Sequence, residues 1–128
     1  MNVLKFLPLL AVLVACSGET VTNRIIENQS DKNFGMVLYR NGIASDTLDF
    51  SAGQSRQFSV STKDKGTDEA PDCVRQIDSA YFEISGGGIV TKMIQDPENW
   101  ETETEQVKNF PAEYENSCVF VVRNSDIE

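Results

Sequence analysis

Histidine is absent from the 128 residues of this chain, and that absence excludes several classes of enzyme. Ser-His-Asp and Cys-His catalysis need an imidazole base whose pKa lies near neutrality. The usual catalytic zinc sites also depend on histidine ligands. Because no other motif in the sequence marks an active site, we expect a protein that is not an enzyme and that holds no metal and no other cofactor.

Basic residues are also scarce, at 11 lysines and arginines against 20 aspartates and glutamates, which gives a formal net charge of −9. A chain with this charge repels phosphate backbones and anionic membrane surfaces, so we expect no nucleic-acid partner. A protein partner of positive charge remains compatible with the composition. The many carboxylates leave a paired-acid glycosidase open in principle, but the spacing of the acids marks no such pair.

Long apolar runs are lacking except at the start, where Lys5 is followed by an unbroken apolar run from Phe6 to Ala15. A membrane-spanning helix needs about 20 such residues, so this run is too short to span a bilayer. A positive charge, a short apolar run and small residues after it are typical of a secretory signal peptide. An apolar core strand or helix at the N-terminus is the alternative.

The end of this run, Leu13-Val14-Ala15-Cys16, resembles the lipobox of bacterial lipoproteins. The resemblance covers residues 1–17 and implies that the signal peptide, residues 1–15, is removed and that the Cys16 thiol carries palmitate or related acyl chains. Two or more acyl chains hold a protein firmly on a bilayer. Residues 16–23 would then form a lipidated tether. Ser17 in place of aspartate implies the outer membrane, on either its periplasmic or its surface face.

The same resemblance accounts for the odd number of cysteines. With Cys16 assigned to lipid, Cys73 and Cys118 remain as an even pair in a compartment where disulfides persist. We therefore predict a disulfide between Cys73 and Cys118, and two free buried thiols are the alternative. With all three sulfurs occupied in this way, thiolate chemistry is not expected.

The rest of the chain, residues 24–128, alternates apolar and polar residues in short runs bounded by Gly, Asn, Asp and Ser. Alternation with a period of two is typical of half-buried strands. We predict one all-β domain, an immunoglobulin-like antiparallel β-sandwich of about seven strands. The predicted strands are 24–28, 34–40, 43–50, 56–61, 77–85, 89–94 and 118–124, and the last is central because it is apolar on both faces.

The dipeptide Asn41-Gly42 predicts a two-residue hairpin turn, because both residues tolerate the positive φ angles of a type I′ turn. Arg40 would then pair with Ile43. The predicted inner face of this hairpin and its continuation consists of Val37, Tyr39, Ala44, Leu48 and Phe50. Asp46 does not fit on that face, so we expect it at a sheet edge or beside a bulge that shifts the register.

Two long segments, 62–72 and 96–116, break the strand pattern and are predicted as loops. Both are rich in oxygen ligands, which leaves calcium binding open, although neither matches the spacing of an EF-hand. The second segment holds the candidate partner-binding residues Trp100, Glu101, Glu103 and Glu105. Trp100 is either an exposed contact residue or a lid over one open end of the sandwich.

Taken together, these patterns favour a non-catalytic cell-envelope lipoprotein with a structural or partner-binding role. Its partners would be the membrane, reached through the lipid anchor on Cys16, and a protein of positive charge. The alternative is an inhibitor or immunity-type lipoprotein that binds a cationic envelope protein. That binding would use the acidic segment around Glu101, Glu103 and Glu105.

Overall fold

The computed structural model describes residues 18–63 and 70–128, and these form two β-sheets that share one hydrophobic core. Eight strands lie in this described part: β1 (Thr20–Asn28), β2 (Phe34–Arg40), β3 (Ile43–Ala44), β4 (Leu48–Phe50), β5 (Ser55–Lys63), β6 (Ile77–Ile84), β7 (Trp100–Asn109) and β8 (Ala112–Val122). Two short 3-10 helices, Pro97–Asn99 and Asn124–Asp126, flank the β7–β8 hairpin. The predicted all-β sandwich is confirmed.

The first sheet has the strand order β5-β1-β8-β7. Strands β5 and β7 pair antiparallel with their neighbours. Strands β1 and β8 run parallel instead, in register from Thr20 opposite Tyr114 to Asn28 opposite Val122. A parallel pair needs a long connection between its strands, and here the rest of the domain supplies it. The first sheet is therefore mixed and not purely antiparallel as predicted, while β8 is central in it, as its two apolar faces predicted.

The second sheet is built around β2, which pairs with β6 along one edge and with β3 and β4 along the other. Asn41 and Gly42 have φ angles of 52° and 76°, and a type I′ turn requires both to be positive. The pairing of Arg40 with Ile43 is also observed. The dipeptide thus correctly predicted both the turn and the register of this hairpin.

The register changes beyond the hairpin. Strand β4 pairs Leu48 with Met36, one residue out of step with the β2–β3 pairing. Residues 45–47 between the two strands belong to neither, although the Ser45 N–H still donates to the Leu38 oxygen at 2.8 Å. An irregularity near Asp46 was one of the two expectations, and it is confirmed. Because a shift of one residue exchanges the two faces of a strand, it moves Leu48 onto the face opposite to that of the exposed Ala44.

The predicted inner face of β2 is wrong as a consequence. Phe34, Met36 and Leu38 are buried, whereas Val37 and Tyr39 lie on the other face and Tyr39 is 37% exposed. Since β2 carries apolar side chains on both faces, alternation alone could not decide which of them faces the core. The one-residue shift before β4 decides it, because Leu48 and Phe50 then join the Met36 face.

Three predicted boundaries also differ from the structure. Strand β1 begins at Thr20, so residues 20–23, assigned above to the tether, belong to the sandwich. The segment 89–94 is not a strand, and it makes only a single bridge between Val90 and Ile127. The segment 96–116 is not a loop, because β7 and most of β8 lie within it. Residues 64–69 of the other predicted loop lie outside the described part.

The core consists of aromatic and aliphatic side chains from both sheets. Phe34 stacks on Phe50 with 5.1 Å between ring centroids, and Phe82 stacks on Phe120 at 6.3 Å across the interface between the sheets. Such pairs are worth about 0.5–1.5 kcal/mol each beyond the area that they bury. The completely or nearly completely buried members are Ile26, Phe34, Met36, Leu38, Phe50, Ile94, Cys118, Phe120 and Val122.

One buried polar side chain fixes a corner of the sandwich. Asn28, at the end of β1, is completely buried, and its Nδ2 donates to the carbonyl oxygens of Lys32 at 2.6 Å and Ser51 at 3.1 Å. Its Oδ1 accepts from the backbone N–H of Ser30 at 3.0 Å and from the Ser30 hydroxyl at 2.6 Å. This one amide therefore ties the β1–β2 turn to the segment that follows β4.

Candidate functional site

The predicted lipidation site, Cys16, lies outside the described residues. The first described residue is Gly18. It packs so closely against the carbonyl oxygen of Ala112 that a larger side chain would clash there. The backbone N–H of Tyr114 donates to the Glu19 oxygen at 3.0 Å. The start of the described chain is thus held beside the β7–β8 turn, where Phe110 is 84% exposed.

The predicted disulfide is present between Cys73 and Cys118, with 5.7 Å between their Cα atoms. Cys118 lies on the central strand β8, and Cys73 lies in the segment before β6. Both are buried, at 0% and 3% exposure. The bridge therefore holds the connection between the two sheets against the inner face of the first sheet.

Trp100 is a core residue. Its side chain is 5% exposed, and its indole Nε1 donates to the Ile94 oxygen at 2.7 Å. Its ring lies 5.5 Å from that of Phe120 and 6.2 Å from that of Phe58. Of the two alternatives for this residue, burial is the one observed. The ring is not available as an exposed partner contact.

The three candidate glutamates lie on one face of β7, the face away from Trp100. Glu101, Glu103 and Glu105 are exposed and alternate with threonines along the strand. Glu105 lies opposite Glu115 of β8, so the acidic row extends onto the neighbouring strand. Arg123 Nη2 donates to Glu101 Oε1 at 2.8 Å, and this hydrogen bond raises the pKa of Arg123.

Strand β7 lies at one end of the strand order of the first sheet. In an end strand, one row of backbone N–H and C=O groups points away from the sheet, and charged side chains on such a strand discourage pairing with other chains. The glutamates of β7 fit this protective role. They also present several negative charges in a fixed, extended row.

A second feature was not expected from the sequence: a cavity of about 290 Å³ between the two sheets with three arginines in its wall. We call it the arginine pocket, after Arg24 of β1, Arg40 of β2 and Arg75 of the segment before β6. The other lining residues are Phe58, Ser59, Val60, Ser61, Gln76 and Ile77.

Two of these arginines lie where the strand register shifts. The β1–β5 pairing shifts between Arg24 and Ile25, and the β2–β6 pairing shifts between Tyr39 and Arg40. Such shifts mark β-bulges, which redirect side chains and are frequent next to functional sites. Gln76 has a φ of 65°, an uncommon conformation for a residue other than glycine. Local backbone irregularity is therefore concentrated around this pocket.

Arg24 forms the inner wall of the pocket and is only 5% exposed. Its Nε donates to the Cys73 oxygen at 3.1 Å and its Nη2 to the Asp72 oxygen at 2.6 Å. Its Nη1 donates to Ser61 Oγ at 3.2 Å. Desolvation by burial lowers the pKa of Arg24; Asp72 acts in the opposite direction, and the like charges of Arg75 and Arg40 lower it further.

A sequence signal for Arg24 did exist. It lies two residues before Ile26 on the same predicted strand, so alternation places both side chains on one face. No local pattern joins Arg24 to Arg40 and Arg75, which come from other elements. Only the packing of the two sheets brings the three together.

Metal binding finds no support among residues 18–63 and 70–128, where no group of three or more Cys, Asp or Glu side chains is placed to hold an ion. The acidic part of the other predicted loop, residues 64–69, lies outside the described residues. In the same described ranges, no helix has the length and apolar content needed to cross a membrane.

Comparisons of this chain with protein-family models, with curated protein sequences and with solved structures find no match.

Proposed function

We propose that this chain is a non-catalytic cell-envelope lipoprotein, held at the outer membrane by acyl chains on Cys16, with a structural or partner-binding role. The observation that carries the proposal is the Cys73–Cys118 disulfide. Disulfides persist in oxidising compartments and are rare in the cytosol, so the bridge fits an exported protein. The apolar run up to Ala15 and the lipobox-like residues before Cys16 supply the matching export and attachment signals.

The test is mass spectrometry of the full chain expressed in a Gram-negative host and extracted from membranes with detergent. We expect a mature protein that starts at Cys16, carries acyl chains there, and weighs two hydrogen atoms less than its reduced form. A Cys16→Ser variant should lose the acyl mass and the membrane fraction but keep the disulfide. An unprocessed chain with three free thiols in the soluble fraction would contradict the proposal.

A second candidate is an inhibitor or immunity-type lipoprotein that binds a cationic envelope protein. The observation that favours it is the row formed by Glu101, Glu103 and Glu105, which are exposed on one face of an end strand. Trp100 takes no part in this surface, because its ring is buried. Complementary charge mainly steers association and sets its salt dependence.

The two candidates differ in the salt dependence of partner capture. Screening shortens the range of charge interactions from about 10 Å at 0.1 M salt to about 3 Å at 1 M. If the acidic row binds a partner, a basic protein should be captured from envelope extract at low salt and released at high salt. Replacing Glu101, Glu103 and Glu105 by Gln should abolish the capture.

The matched control replaces three other exposed acids, Asp46→Asn, Asp49→Asn and Glu83→Gln, which removes the same charge from the second sheet. This variant should still capture the basic protein. Capture that is insensitive to salt, or that both triple variants lose equally, would count against the acidic row and leave the general binding role.

A further inference from the structure

The arginine pocket carries the opposite charge to the rest of the molecule. The chain has a formal net charge of −9, yet three of its arginines line one cavity between the sheets. Lys108 and Arg123 each pair with a glutamate. Arg40 and Arg75, although exposed, make no ion pair with any residue of the described ranges. Within residues 18–63 and 70–128, this group of cations therefore forms no salt bridge, although Asp72 is close enough to Arg24 to oppose the lowering of its pKa by burial.

The guanidinium of Arg24 is held in place before any ligand arrives. Its three hydrogen bonds, to the carbonyl oxygens of Asp72 and Cys73 and to the Ser61 hydroxyl, use three of its five N–H groups. The disulfide fixes the position of one of these acceptors, because Cys73 is bonded to Cys118. A preorganised donor binds an anion at a lower entropic cost than a flexible one.

The outer wall of the pocket is also ordered. Arg40 lies over the ring of Phe58, with its Cζ 6.0 Å from the centroid, at the limit of the cation–π range. Ser59, Ser61 and Gln76 line the same cavity, and the Ser61 hydroxyl accepts from Arg24 Nη1 at 3.2 Å. The lining residues therefore include guanidinium, hydroxyl and amide side chains, the kinds of group that bind oxyanions in proteins.

Charge and size together select the ligand. Among the described residues, three guanidiniums and the nearby Asp72 leave about two positive charges, and a phosphate monoester carries about −1.5 to −2 at pH 7 with three acceptor oxygens. A carboxylate has one charge, and a single arginine fork satisfies it. The volume of about 290 Å³ is close to the lower end of small-ligand pockets, roughly 300–1,000 Å³.

We propose that the arginine pocket binds the phosphate group of a small phosphate monoester. Arg24 would contact the phosphate from the inner wall, and Arg40 and Arg75 from the mouth of the pocket. The cavity is a small recess between two sheets that opens to solvent on one side, so its size suits one phosphate with a small substituent and not a nucleic-acid strand. This proposal stands independently of the lipid anchor and of the acidic row.

Isothermal titration of the full chain in a non-ionic detergent tests the proposal, with inorganic phosphate, glycerol 3-phosphate and acetate as probes. The two phosphates should bind with one site per chain, and acetate at least about tenfold more weakly. The double variant Arg40→Gln with Arg75→Gln should weaken phosphate binding by about tenfold or more, since a hydrogen bond to a charged group is worth about 1.5–3 kcal/mol.

The matched control is Arg56→Gln. Arg56 is an exposed arginine of β5, the strand that also supplies Ser59 and Ser61, but it lies over the Phe50 ring and outside the pocket wall. It should leave phosphate affinity unchanged. Absence of phosphate binding to the natural chain, equal binding of acetate, or equal loss in the control and the double variant would overturn the proposal.

The pH dependence gives a second readout that needs no variant. The chain has no histidine, so no side chain with an ordinary pKa titrates between pH 6 and 8, whereas the second proton of a phosphate monoester leaves near pH 6. Because about half of the monoester is already the dianion at pH 6, glycerol 3-phosphate should bind about twofold more tightly at pH 8 than at pH 6, with the affinity rising as the dianion forms. A pH-independent affinity would contradict recognition of the dianion.

The same phosphate could belong to a soluble molecule or to a lipid headgroup, and a further arm separates these sources. Mixed micelles that contain phosphatidic acid should compete with glycerol 3-phosphate if a headgroup can enter the pocket. Competition assigns both sources to the site, and its absence restricts the site to soluble phosphates. Micelle binding that inorganic phosphate fails to displace and that the double variant retains would overturn the assignment to this pocket.

Discussion

Trp100 combines packing in the core with one buried hydrogen bond. The indole N–H satisfies the Ile94 oxygen at 2.7 Å while the ring fills the space between Phe58 and Phe120. A buried carbonyl that loses its donor keeps its desolvation cost of about 1–3 kcal/mol. The residue therefore contributes both packing and one hydrogen bond that no aliphatic side chain can replace.

For Trp100→Phe we expect the free energy of unfolding to fall by about 2–4 kcal/mol, because the smaller ring leaves a cavity and the Ile94 oxygen loses its donor. Urea denaturation followed by circular dichroism measures it. The control is Phe110→Leu, at a side chain that is 84% exposed, and it should change stability by less than about 0.5 kcal/mol. Equal effects at the two positions would contradict the core role of Trp100.

Asn28→Ala tests the polar corner of the sandwich. The variant removes the donor to the Lys32 and Ser51 oxygens and the acceptor of Ser30, all at a completely buried position. We expect a loss of about 2–4 kcal/mol in the free energy of unfolding.

The control for that variant is Asn33→Ala, which removes one exposed hydrogen bond, from the Ala52 N–H to Asn33 Oδ1 at 3.0 Å. It should cost no more than about 1 kcal/mol. If both asparagines cost the same, burial of the Asn28 network is not what stabilises this corner.

At the scale of single residues, sequence reasoning succeeded where a local rule applied. The positive φ angles at Asn41 and Gly42 follow from their side chains alone. The arginine pocket could not be predicted in this way, because Arg24 and Arg40 belong to different sheets. Burial of an arginine depends on carbonyl acceptors that only the tertiary fold supplies, here those of Asp72 and Cys73.

At the scale of elements, strand predictions were wrong where the sequence does not alternate clearly between apolar and polar residues. Strand β7 was predicted as a loop because every residue after Trp100 is exposed, so no apolar face marks the strand. Strand β2 has the opposite problem, since both of its faces are apolar and alternation cannot choose between them. The central position of β8 was predictable because its last residues are apolar on both faces, and the consecutive Phe120, Val121 and Val122 are all completely buried.

The disulfide acts at the scale of elements, because it fixes the segment before β6 against β8. It joins residues 45 positions apart, and the chain-entropy model gives up to about 4 kcal/mol for a loop of this length. We expect dithiothreitol to lower the urea midpoint of the natural chain by a corresponding amount. Since Arg24 bonds to the Cys73 and Asp72 oxygens, reduction should also weaken phosphate binding.

The control for reduction is the double variant Cys73→Ala with Cys118→Ala. It should match the reduced natural chain in stability and should not respond to dithiothreitol. A response of the double variant would mean that the reductant acts elsewhere. A natural chain that is equally stable with and without the reductant would show that the bridge does not constrain unfolding.

At the scale of the whole molecule, the contacts of the first described residues predict an orientation on a membrane. Gly18 lies against Ala112 and Glu19 bonds to Tyr114, so an anchor at Cys16 would keep the β7–β8 turn close to the bilayer. Phe110 extends from that turn and is 84% exposed. Exposed apolar side chains held next to a bilayer, phenylalanine among them, insert at the boundary between headgroups and acyl chains.

We therefore expect a Phe110→Trp variant, reconstituted into vesicles, to show strong fluorescence quenching by brominated lipids. The control is Ile89→Trp, which is 70% exposed in the natural chain and bonds to Glu128 beyond the other end of β8. That tryptophan should be quenched no more than the natural Trp100. Equal quenching at positions 89 and 110 would contradict the orientation without affecting the disulfide or the pocket.

The parallel pairing of the first and last strands also determines how the domain resists mechanical force. A pull exerted between the N-terminal side of β1 and the C-terminal side of β8 loads the two strands in shear, because Thr20 lies opposite Tyr114 and Asn28 opposite Val122. The hydrogen bonds along the whole pair then carry the tension together, whereas an antiparallel pair held at one end would open like a zipper. This shear geometry should make the domain resistant to a force applied between its two ends, for example if one end were attached to a surface.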